Sequence, residues 1–225
     1  RLLAAAVEVS DINLVDFVGG TKDNAIPRAT SFKVIASDEA VKAMEAEAAA
    51  IKNEFAITDP DMKIEFKNEG DVTVDGVSAA DSKRIVELLL SMPDGIQAMS
   101  HDIEGLVETS LNLGILKLNE DHLLFASALR SSVDSAKKAL MRKVSMVAKA
   151  YGCDVSAHGQ YPAWEYLRVS AFRDEAVKIY KEVTGQDAVV ETIHAGVECG
   201  LLALKLPGLD AVSIGPEMYD IHTPK

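Results

Sequence analysis

Cysteine is scarce: Cys153 and Cys199 are the only two in 225 residues. Two are too few for a disulfide framework, and their separation in sequence says nothing of a zinc clip, so the usage points to a reducing, cytoplasmic compartment. Positive charge is also short. Lys and Arg number 23 against 35 Asp and Glu, for a net charge of -12 and a sequence pI near 4.9. Phosphate binding depends on clustered cations that release counterions, and no basic stripe is present, which argues against a nucleic-acid partner. No apolar run approaches the roughly 20 residues of a spanning helix, and no signal peptide is expected before the first motif. A soluble chain without a membrane partner is expected. Against these absences stand 48% hydrophobic residues, enough for at least one full core in a chain longer than one average domain.

Taken in order, RLLAAAVEV reads as the tail of a helix and Ile12 to Val18 as a strand. The loop GGTKDNAIPR follows, with two Gly and a Pro, and Asn24 sits in its middle. A strand from Thr30 to Ala36 leads into Ser37-Asp38-Glu39, which caps a helix with Val41, Met44, Ala48, Ile51 and Phe55 on one stripe. MKIEFK (62–67) alternates strictly and predicts a half-exposed strand. The connection 68–76 is rich in turn formers, with room for a short strand at Val72 to Val74. Ser78 and Asp81 open a helix carrying Ile85, Leu88, Leu89 and Met92, stopped by Pro93-Asp94-Gly95.

From Gly105 the alternation Val107, Thr109, Leu111, Leu113, Ile115 predicts one arm of a hairpin, and Leu123 to Arg130 the other. The helix Ser132 to Tyr151 places Val133, Ala136, Leu140, Val144, Val147 and Tyr151 on one side, and Gly152 ends it. The order strand, strand, helix, strand thus occurs twice, in 12–67 and in 105–158, without a sequence repeat. Two such halves form an α+β arrangement, one sheet with helices on one face. Beyond residue 160 an α/β segment is expected: a crossover helix from Ser170 to Val183, then the β-branched runs VVETI (189–193) and DAVSI (210–214) as buried strands.

The stretch IHAGVECGLLALKLPGLDAVSIGPEMYDIHTPK (193–225) packs two His, two Glu and one Cys among glycines between apolar runs, the composition of chemistry at strand ends. HAGVECG, SIGP and the I-H-T-P loop, in this order and spacing, resemble the C-terminal end of the aminoacyl-histidine dipeptidases. Those enzymes belong to the co-catalytic zinc peptidases that include carnosinases, aminoacylases and glutamate carboxypeptidases. The resemblance extends to LVDFVGGTKDNAIPR, GLVETSLNLG, LRSSVDS and GQYPAW.

The resemblance implies a lid domain at 1–160, its N-terminal part missing, and at 161–225 the C-terminal segment of the catalytic domain. It implies two zinc ions in the full-length enzyme, with His222 as the last ligand, which suits a neutral imidazole donor. The general base and the other ligands would come from a region before the lid, so no catalytic residue is expected here, and His101, His122 and His158 match no family motif. The lid would contact a small peptide substrate and, as in many relatives, form a homodimer interface. Both chain ends are expected to be cut.

Three further residues are candidates for substrate binding. Asn24 offers an amide to a substrate oxygen, although alone it reads as a turn former. Arg130 would grip the free α-carboxylate that a dipeptidase must recognise; its alternative is a surface pair with Asp134. Glu198 either faces the substrate amino group or sits at the positive end of a helix opening at Cys199. His194 and Cys199 read as structural and Glu217 as a solvated loop residue. The expected function is therefore hydrolysis of Xaa-His dipeptides by the full-length enzyme, this portion alone being inactive. The alternatives are an aminoacylase or carboxypeptidase of the same family and a non-catalytic lid module used for association.

Overall fold

Caps written in the sequence begin the helices where expected. In the computed structural model, which describes residues 1–192 and 198–215, the Ser37 hydroxyl accepts from the Ala40 amide at the start of α2 (Asp38–Glu54), after α1 (Leu2–Val9). At α3 (Ala79–Ser91), Ser78 accepts from the Asp81 amide at 3.1 Å and donates to its carboxylate at 2.9 Å. These bonds satisfy amides that the helix cannot pair internally. The later helices are α4 (Asp134–Ala150), α5 (Ala171–Thr184) and α6 (Glu198–Lys205). Gly185 ends α5 at φ 74°, the left-handed position the sequence offers a glycine for.

Five strands form one sheet: β1 (Asn13–Gly19), β2 (Thr30–Ile35), β3 (Gly95–Met99), β4 (Val107–Leu118) and β5 (Leu123–Ser131). Their order is β2-β1-β4-β3, with β5 also paired to β4. The antiparallel β1–β2 register runs from Asn13↔Ile35 to Gly19↔Thr30, interrupted by an irregularity between Leu14 and Asp16. Val15 is therefore an extra residue. A bulge shifts the side-chain phase, so Leu14 and Phe17, three apart, are both buried. Phe17 meets Phe32 edge to face, ring centroids 5.7 Å apart.

The chain divides into two compact units. Arg1–Gly95, Leu111–Leu129 and Met141–Ser156 make the first, and Ile96–Ser110, Arg130–Leu140 and the described part of Ala157–Lys225 the second. The first unit holds the main core: Leu3 and Ala6 of α1, Leu14 and Phe17 of β1, Ala40 and Met44 of α2, Val86 of α3 and Leu116 of β4, with Ile12. A smaller cluster joins Leu88 and Met92 to Ala148 of α4. Burying a Leu such as Leu14 completely stabilises by about 1.5–3 kcal/mol. Polar groups lock the same region, since the Leu14 amide donates to the buried Ser82 hydroxyl at 2.9 Å and the Leu14 carbonyl accepts from the Val77 amide at 2.7 Å.

In the second unit the Asp210 carboxylate accepts from the Ser170 hydroxyl at 2.6 Å and from the Phe172 amide at 3.0 Å. These bonds, Ser170 foremost, hold the carboxyl below the ordinary Asp range. Ser170 itself caps α5 through the Arg173 amide.

The mixed fold with an antiparallel sheet and helices is as the sequence implies, but the two halves are not the expected repeat. Residues 62–67 and 153–158 are not strands, nor are 72–74, and the fifth strand is instead β3, placed directly after the Pro93-Asp94 stop. Alternation in MKIEFK reports a side only in part: Met62 and Ile64 are half-buried, but Phe66, expected to face inward with them, is exposed. It cannot supply a ladder partner, and the segment is held instead by Lys52 donating to the Ile64 carbonyl.

The described parts of the expected strands 189–193 and 210–214 likewise carry no ladder. No residue of α5 is buried, and its stripe residues Phe172, Ile179, Tyr180 and Val183 are exposed. The period identifies the apolar face of a helix; it does not provide the surface that covers it.

Candidate functional site

The loop between β1 and β2 is built by close backbone approach. Gly20 has φ 70°, and a Cβ there would fall 1.8 Å from the Gly114 carbonyl oxygen of β4. A Cβ on Gly114 would in turn fall 2.3 Å from the Asp23 carbonyl oxygen and 2.4 Å from that of Lys22. Only glycine fits at either place. The Asn112 amide donates to the carbonyls of Asp23 at 2.9 Å and Ala25 at 3.0 Å. Between those two acceptors lies Asn24, exposed, in a turn closed by the Ala25 amide on the Lys22 carbonyl. Its side chain makes no hydrogen bond among the described residues.

Strand β4 accommodates this contact by changing phase. Thr109 and Leu111 are buried, then Gly114 and Leu116, so the expected single face through Leu113 and Ile115 is broken after Leu111. Two adjacent positions, Asn112 and Leu113, fall between the buried sets. The Leu113 amide donates to the Asp94 carboxylate at 2.8 Å, and the Asn112 side chain is given to the loop.

Arg130, in the second unit, is the penultimate residue of β5 and exposed. Its backbone neighbourhood is fixed by polar contacts: the Ser131 hydroxyl lies 2.8 Å from that of buried Thr109 and bonds the Val133 backbone, and the Ser132 amide donates to the Glu108 carbonyl at 3.1 Å. The expected competitor, Asp134, is engaged elsewhere. It pairs with Lys138 and with Lys137 at 3.3 Å, and these cations, Lys138 first, keep its carboxyl below the ordinary range. No hydrogen bond or ion pair holds the Arg130 guanidinium among the described residues.

Glu198 opens α6, one residue earlier than Cys199, and is exposed in the first turn. That is the end of a helix at which acidic residues are commonly placed. Gly200 seats the helix: a Cβ would meet the Pro162 carbonyl at 3.2 Å and the Trp164 side chain at 3.3 Å. That segment is tied in its turn to α4, where Lys137 donates to the Tyr161 carbonyl and the Asp134 amide to Glu165 at 3.2 Å. The Cys199 thiol points to the Val212 carbonyl at 4.0 Å, a structural contact.

Arg130 and Glu198 make no bond to each other, and Asn24 belongs to the other unit. His222, His194 and Glu217 lie outside the described residues. Among the described residues no group of three or more His, Cys, Asp or Glu could hold a metal ion. The described residues therefore do not fit a zinc site by themselves. Asn112, Gly114 and Ser131 went unassigned in the sequence, although SLNLG and LRSS carry them.

No family model matches the chain. It is 29% identical over 228 residues, all of this chain, to the cytosol non-specific dipeptidase of Escherichia coli (strain K12), covering 47% of that protein. The crystal structure of aminoacylhistidine dipeptidase from Vibrio alginolyticus matches 96% of the chain at 30% identity and a TM-score of 0.87, and 45% of that protein is covered. The chain thus spans a little under half the length of either relative. No helix among the described residues is long and apolar enough to cross a membrane. The chain is a homologue of these dipeptidases, in fold and in sequence, and corresponds to a little under half of each.

Proposed function

We propose that the chain forms the lid and the C-terminal catalytic segment of a cytoplasmic, zinc-dependent dipeptidase that hydrolyses Xaa-His dipeptides. Homology to two dipeptidases supports the class. The observation that carries this chain's own part in it is Arg130: a planar cation at a fixed strand end, exposed, with the nearest carboxylate in sequence already paired to two lysines. An enzyme that releases one C-terminal residue must bind a free α-carboxylate, and a guanidinium does so bidentately. Asn24 would donate to a carbonyl or carboxylate oxygen of the substrate, and Glu198 would face its amino group. His222 would be one zinc ligand; the others and the general base would belong to the remainder of the enzyme, whose lid would also form a homodimer.

The name of the Escherichia coli relative favours a second reading, a dipeptidase of broad specificity. Profiling the whole enzyme on Xaa-His and other dipeptides separates the two.

The role of Arg130 is tested by Arg130→Lys in the whole enzyme, which keeps the charge and loses the fork. kcat/KM on free-acid dipeptides should fall by about 1–3 kcal/mol, the cost of a charged hydrogen bond left badly matched. A dipeptide amide, already a poor substrate, should lose little more. Equal proportional losses on acid and amide would mean that Arg130 acts through the fold.

A further inference from the structure

We infer that Asn112 is a positioning residue for substrate binding, holding the β1–β2 loop so that the Asn24 side chain is presented in one orientation. The inference rests on the reading of Asn24 as a substrate contact. A single carboxamide group spans the turn, donating one N–H to the carbonyl before Asn24 and the other to the carbonyl after it, at 2.9 and 3.0 Å. Both acceptors are backbone, so the bond pair fixes the peptide planes on either side of Asn24 while leaving its own amide free of any partner among the described residues.

The glycines remove the alternatives to this arrangement. Gly114 lets the carbonyls of Lys22 and Asp23 lie directly over β4, and Gly20 turns the chain against the Gly114 carbonyl. The loop cannot retreat toward the strand, and Asn112 keeps it from lifting away. A loop built only to connect two antiparallel strands needs none of this, because the ladder from Asn13↔Ile35 to Gly19↔Thr30 already joins them. A bound side chain held on a rigid turn avoids the ordering cost that a free loop would add at each encounter with substrate.

The test is a double-mutant cycle in the whole enzyme with Asn112→Asp and Asn24→Ala. Aspartate has nearly the same shape and offers only acceptors to the two carbonyls. Asn112→Asp alone should lower kcat/KM for dipeptides on the order of ten- to a hundredfold, and in the Asn24→Ala background by about twofold or less. Asn112→Ser, smaller and uncharged, should show the same coupling and serves if the aspartate variant does not fold; thermal melting tracks stability for each. Equal losses in both backgrounds, or no loss, would overturn the positioning role while leaving Asn24 as a substrate contact. Wild-type kcat/KM in Asn24→Ala would overturn the reading of Asn24 itself, and the positioning role with it.

Discussion

Ser82→Ala removes one oxygen from a site with no solvent exposure, and the hydrogen bonds around it dictate an unequal outcome for its two partners. The hydroxyl accepts from the Leu14 amide at 2.9 Å and donates to the Val77 carbonyl at 3.3 Å. After the substitution the carbonyl keeps the Asn13 side-chain amide at 2.9 Å. The Leu14 amide loses its Ser82 acceptor. A buried donor left without an acceptor costs about 1–3 kcal/mol, and for a chain of this length each kcal/mol moves the melting temperature by roughly 2–4 °C. Urea unfolding of the parent and variant chains measures it, with a lower midpoint and an unchanged slope as the expected result. Asn13→Ala should cost less, because the Val77 carbonyl then retains the Ser82 hydroxyl. The double variant should cost more than the sum, since that carbonyl loses both donors. A Ser82→Ala chain within about 0.5 kcal/mol of the parent, the range of an ordinary surface change, would refute the reasoning.

Gly114→Ala should destabilise the same chain by about 1–3 kcal/mol, because the new carbon meets backbone oxygens that no side-chain rotation can move; a urea midpoint equal to the parent's would disprove the close approach. Asp210 has a folded-state pKa depressed below its ordinary value, so its contribution to holding α5 is present above about pH 4 and is lost as pH falls through the depressed value. Amide exchange in the first turn of α5 should accelerate across that acid range, and Asp210→Asn should flatten the dependence; the same acid response in the variant would assign it to another group. With Zn²⁺ and an Xaa-His dipeptide added, the 225-residue chain alone should give no turnover, as one imidazole cannot replace a multi-ligand site; multiple turnovers would refute this.

Helix ends were legible because they are decided locally: Ser37, Ser78 and Ser170 each need only an amide three residues on. The strands of the β4–β5 hairpin and of β1–β2 were legible for a related reason, since each pair joins neighbours in sequence. What failed was whatever needed a distant partner. MKIEFK has the pattern of a strand and no ladder, while β3 (GIQAM) has no alternation to announce it and pairs nonetheless. The face of β4 was misjudged beyond Leu111 because its change of phase answers to Asp94 and the 20–28 loop. Asn24 and Arg130 were singled out through motif resemblance, and their roles remain those proposed above. Asn112 was passed over because nothing in SLNLG reveals carbonyls nearly ninety residues upstream.

That separation also orders events in folding. The β1–β2 ladder closes a short loop and can form early, whereas the bonds from Asn112 to Asp23 and Ala25 wait until β4 has docked beside β1 at Val18↔Lys117 and Gly19↔Leu116. The turn around Asn24 is then among the last parts of its unit to be set. Losing the Asn112 amide should therefore speed unfolding and leave the refolding rate nearly unchanged, so the orientation of Asn24 can be altered without obstructing the route by which the chain reaches its fold.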